Sequence, residues 1–63
     1  MTHTFEVTKS TLNQRSYLSD LLGYAQISWE KLDEDTWNVT VPEDRSDDAT
    51  ECLDKQGLSY RFI

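Results

Sequence analysis

The segment VPEDRSDDATEC, residues 41 to 52, holds five carboxylates, Glu43, Asp44, Asp47, Asp48 and Glu51, against one cation, Arg45. A second concentration, Asp33, Glu34 and Asp35, precedes it, and Asp54 follows. Carboxylates this dense suit three kinds of chemistry. They can chelate a hard cation, complement the positive end of a helix dipole, or oppose a basic protein surface as a nucleic acid's phosphates do. Calcium loops need a glycine for the sharp turn and a distal bidentate glutamate. Neither DEDT nor EDRSDD contains glycine, so no metal site is expected. Helix initiation explains Asp47 and Asp48 on its own. The functional expectation that remains is a docking face built from Asp33, Glu34, Asp35, Glu43, Asp44, Asp47, Asp48, Glu51 and Asp54.

Nucleophilic chemistry has few candidates. Cys52 is the only cysteine and His3 the only histidine, so neither a disulfide within the chain nor a zinc site of cysteine and histidine alone can form. Cys52 falls beside Ala49 and Leu53 on a helical stripe and reads as a small buried residue. His3 reads as a solvated residue at a frayed end. Gly23 and Gly57 are too far apart in the chain for a phosphate-cradling loop. No catalytic constellation and no cofactor site is expected.

Charge narrows the classes of partner. The net charge is −6. Residues 1 to 29 are balanced, whereas residues 30 to 54 carry ten acids against Lys31 and Arg45. Phosphate backbones and anionic lipid are repelled by such a surface. The expected partner is therefore a protein with a basic surface, such as the groove of a nucleic-acid-binding protein, and not nucleic acid or membrane. The N-terminus MTHTFEVTKS is polar and no apolar run approaches membrane-spanning length, so a cytoplasmic protein is expected. Asn38-Val39-Thr40 matches a glycosylation pattern, read here as coincidence.

The elements that must position these residues follow from periodicity. THTFEVT alternates and predicts a strand with Phe5 and Val7 inward. Ser10 or Thr11 can cap the next helix, and Thr11 with Gln14 has the form of a capping box; its stripe is Leu18, Leu21 and Leu22, flanked by Tyr17, with Gly23 as its stop. Ala25, Ile27 and Trp29 share one face of a second strand, and Trp37, Val39 and Val41 share one face of a third, ended by Pro42. With Asp33 at the centre of the connecting turn, Trp29 faces Trp37 and Ile27 faces Val39, making both tryptophans core. Ser46 then caps a second helix with Ala49, Cys52 and Leu53 inward, and Gly57 stops it while Leu58 folds back on Leu53. LSYRFI supplies a last strand with Tyr60 and Phe62 inward.

The order strand, helix, strand, strand, helix, strand predicts one α+β domain over residues 1–63. Its architecture is a ferredoxin-like sandwich, a four-stranded antiparallel sheet with both helices on one face. The outward strand residues, Thr4, Glu6, Ser28, Glu30, Asn38, Thr40, Ser59 and Arg61, are all polar. An open face without aromatics does not suit base stacking. The expected function is a non-catalytic regulator or inhibitor acting through an acidic face. The alternative is a self-associating module that senses a small ligand, with LSYRFI as its edge.

Overall fold

The computed structural model describes all of residues 1–63. The chain forms β1 (Thr2–Thr8), α1 (Leu12–Leu22), β2 (Ser28–Lys31), β3 (Thr36–Pro42), α2 (Ser46–Lys55) and β4 (Ser59–Phe62), with a 3-10 turn at Glu43–Arg45 leading into α2. The strands make one antiparallel sheet in the order β2-β3-β1-β4. This is the ferredoxin-like βαββαβ arrangement. Its core is Phe5, Val7, Leu18, Leu22, Ile27, Val39, Val41, Ala49, Cys52 and Leu53.

Both helices are bounded by local chemistry. Thr11 Oγ1 accepts from the Gln14 amide at 3.1 Å, and Gln14 Oε1 accepts from the Thr11 amide at 2.8 Å, completing the capping box. Gly23 ends α1 at φ 97°. At the end of α2 the Gly57 amide donates to the Asp54 carbonyl and the Leu58 amide to the Leu53 carbonyl, both at 3.0 Å. This is the paired-bond Schellman stop, and Gly57 supplies the left-handed residue at φ 72°. Leu58 packs against the core as that motif requires.

Several expectations from periodicity are corrected. Ser46 does not cap α2: it is the first helical residue, after Arg45, and its hydroxyl donates to the Glu43 carbonyl at 2.9 Å. The 3-10 turn feeds the chain directly into the helix, so no side chain is needed to begin it. The second strand begins at Ser28 rather than Ala25, because the Gln26 amide donates back to the Gly23 carbonyl in a turn that leaves Ala25 exposed. Ile27, just before the strand, is nevertheless buried.

The β2–β3 register differs from the expected one by two residues. Trp29 pairs with Val39, and Lys31 pairs with Trp37. Asp33 is the reason. Its carboxylate accepts from the amides of Asp35 and Thr36, both at 2.9 Å, making it the first residue of a three-residue loop centred on Glu34. The shift is even, so the inward residues keep their face. The tryptophans, however, lie partly buried at the rim and not in the core.

Three further side chains depart from expectation. Leu21 is 49% exposed, while Ser19 is buried and its hydroxyl accepts from Trp29 Nε1 at 3.0 Å. Helix α1 thus turns a serine inward to satisfy a tryptophan. Phe62 sits on the core side, its ring centroid 4.5 Å from that of Phe5, yet stays 61% exposed where β4 ends. His3 is not frayed: it lies in β1, half-buried, edge-on to Phe62 and with Nε2 3.9 Å from Glu43 Oε1.

Candidate interaction surface

Helix α2 presents two opposed sides. Ala49, Cys52 and Leu53 go into the core, and the 100° step per residue then carries Asp47, Asp48, Glu51 and Asp54 outward together. All nine acids singled out from the sequence are exposed. They fall into two runs along the chain. Glu43, Asp44 and the four α2 acids follow β3, whereas Asp33, Glu34 and Asp35 precede it. The seven residues of β3 hold the hairpin acids about 20 Å from the start of α2. On α2 the four acids share one exposed side.

That surface is partly neutralised from within. Arg45 Nε lies 3.1 Å from Asp48 Oδ2, and Lys55 Nζ lies 3.1 Å from Glu51 Oε1. Asp47 and Asp54 carry no ion-pair partner. Glu51 in turn raises the pKa of Lys55 through its hydrogen bond and charge. Tyr60 is also pushed up, first by burial and then by Asp54 beside its hydroxyl. Nowhere do three carboxylate, imidazole or thiol groups converge closely enough to hold a cation.

Beside the acids runs a groove between the helices, with a volume of about 310 Å³. Tyr17 and Leu21 of α1 form its apolar wall, and both are substantially exposed. Asp48, Glu51, Arg45 and Lys55 form the charged wall. Arg45 also crosses to α1, donating to the Leu21 carbonyl at 3.4 Å. Buried Cys52 completes the lining, and desolvation pushes its thiol pKa upward. A protein-docking site commonly combines an apolar centre with a charged rim, and this groove places the two side by side. The sequence suggested Leu21 and Tyr17 only as part of the core stripe. Nothing in the spacing of the leucines marks the rotation that turns Ser19 inward and Leu21 outward.

No protein-family model matches the chain. No curated protein sequence matches it either. Among solved structures, the chain is similar to one titled "Crystal Structure of the Carboxypeptidase A from Helicoverpa Armigera", with a TM-score of 0.71 and 14% identity. The match covers 98% of this chain and 16% of that one. At this identity the likeness is one of fold alone.

Proposed function

We propose that this protein is a non-catalytic binding module, a regulator or inhibitor, that engages a basic protein surface through the outer side of α2. The observation that carries the reading is the alignment of Asp47, Asp48, Glu51 and Asp54 on one exposed side, bordered by exposed Tyr17 and Leu21. Charge of one sign steers encounter and rejects like-charged partners. The aromatic and aliphatic wall offers the desolvated contact from which interfaces draw most of their affinity. Asp47 and Asp54, having no cation of their own, are the groups on which a partner's lysine or arginine would close. The basic groove of a nucleic-acid-binding protein fits this surface. The activity of the carboxypeptidase is not carried over to this chain.

The test is capture of partners from source cells by the tagged protein, comparing wild type with the variant Asp47→Lys, Asp48→Lys, Glu51→Lys and Asp54→Lys. Basic proteins retained at low salt by wild type, eluted at high salt and absent from the variant are expected. The hairpin variant Glu34→Lys, Asp35→Lys should retain them. Equal capture by wild type and the α2 variant would overturn the reading. Each lost surface pair, Arg45–Asp48 or Lys55–Glu51, is worth only about 0–1 kcal/mol, and circular dichroism checks that the variant stays folded.

A further inference from the structure

Strand β2 is one edge of the sheet, and its outer backbone has no partner strand. The Leu32 amide donates to the Thr36 carbonyl at 2.9 Å. Antiparallel ladders alternate, so Ser28 and Glu30 direct their backbone groups to β3 while Trp29 and Lys31 direct theirs away from the sheet. Those two residues also place their side chains on the helix-bearing face, Trp29 beside Val39 and Lys31 beside Trp37. Next to this edge a cavity of about 230 Å³ opens, with Trp29, Trp37, Tyr24 and Leu12 among its lining. The Arg15 guanidinium, also lining it, lies 4.1 Å above the Trp37 ring.

The cations fall into two groups. Arg45, Lys55 and Arg61 each pair with a carboxylate, whereas Lys9, Arg15 and Lys31 have none within ion-pairing distance. In a chain of net charge −6, two unpaired cations therefore flank Trp37 beside an open strand edge and an apolar cavity.

We infer that the β2 edge and this cavity bind an extended peptide, added as a fifth strand, with an apolar side chain beside Trp29 and a carboxylate beside Lys31 and Arg15. The backbone groups of Trp29 and Lys31 supply the ladder bonds common to strand addition. The two-residue period of a strand places the apolar and acidic side chains two positions apart. Between them, the peptide's intervening residue falls on the face of Glu30, which rejects an acid there. Charge complementarity also excludes a second copy as the occupant. The inward residues of β2 are Trp29 and Lys31 and those of β4 are Tyr60 and Phe62, so neither edge of a second copy brings an inward carboxylate. The site is separate from the α2 surface and binds a ligand of the opposite charge.

The probe is an acetylated, amidated eight-residue threonine-rich peptide with glutamate and leucine two positions apart, titrated into the full chain. Both tryptophans of the chain lie at the site, so their fluorescence reports binding, and amide shifts of Trp29 and Lys31 report the ladder. A saturable change is expected. Replacing the peptide glutamate by lysine, or Lys31→Gln in the protein, should weaken binding about tenfold, the loss of one charge-assisted bond. N-methylation of the ladder-facing peptide amides should abolish it. Lys31 is exposed and makes no hydrogen bond that its substitution would break, whereas Arg15 also donates to Ser10, so Lys31→Gln is the variant that keeps the fold. Absence of a saturable change, equal affinity for the lysine peptide, or indifference to Lys31→Gln would overturn the inference. So would sedimentation showing the chain paired with a second copy through β2.

Discussion

Cys52 shows how little a residue's type says without its surroundings. Burial against the core raises its thiol pKa, opposed by the Gln56 amide at 3.2 Å and the charge of Lys55. The neutral thiol is therefore the native form at neutral pH, and thiolate is the reactive species. An aromatic disulfide reagent should label Cys52 only as fast as the chain opens, and urea should accelerate the reaction. Immediate stoichiometric labelling of native protein would contradict this. Because the folded pKa is raised, the associated stability is present below the unfolded pKa and is lost as pH rises through the folded one. Asp33 works in the opposite sense. Its carboxyl is held below the usual range, chiefly by the Asp35 amide; desolvation opposes this, and Thr36 and Lys31 lower it further. Its contribution is present above the unfolded pKa, about 3.9, and is lost as pH falls through the folded value. Asp33→Asn should flatten the acid side of the stability profile, measured by urea unfolding at successive pH values. An unchanged profile would show that the turn gains nothing from the charge.

The two helices begin and end by different means, and this decides which substitutions matter. Helix α1 has no acid in its first turn and no base in its last, so the Thr11–Gln14 box carries its start. Thr11→Ala should cost about 1 kcal/mol. Helix α2 has no side-chain cap but has Asp47 and Asp48 in its first turn and Lys55 in its last, complementing the dipole. Its stop is conformational. Gly57 at φ 72° has open space where a Cβ would be added, so the penalty for Gly57→Ala is backbone strain alone, about 1–2 kcal/mol. Chemical denaturation of both variants checks the pair, and a neutral Gly57→Ala would mean that the turn relaxes. The capping box, both glycine stops and the strand faces were legible in the chain because each rests on neighbours within a few residues. The hairpin register was not. It depended on whether Asp33 occupied the middle of its turn or bonded across it, and the alternation of TWNVTV is compatible with either.

For a molecule of 63 residues, total stability is only about 3–9 kcal/mol. Leu53 is fully buried, at 0% exposure, and is both a core residue and the Schellman partner of Leu58. Leu53→Ala should cost about 2–5 kcal/mol, a large fraction of that total. A urea midpoint within a few tenths molar of wild type would refute this reading of the core. Charge acts more weakly at this scale. The Arg61–Glu6 pair crosses the open sheet face from β4 to β1 at 3.0 Å, yet exposed pairs of this kind contribute about 0–1 kcal/mol. The fold is held by its one-sided apolar core, and the acids leave α2 free to meet another surface.

The sequence by itself determined the six regular elements, their order, the one-sided core and the exposure of the acids. These depend on local periodicity and on the bonding habits of threonine, glycine and proline. It also implied that ten acids in residues 30 to 54 share a region. Tertiary structure alone decided that β3 sets the hairpin about 20 Å from the start of α2. The same is true of the pairing of Trp29 with Val39, the inward turn of Ser19 and the exposed positions of Tyr17 and Leu21. Each depends on how one element is rotated or registered against another, and that is settled by packing across the whole chain, beyond the reach of any short stretch of it.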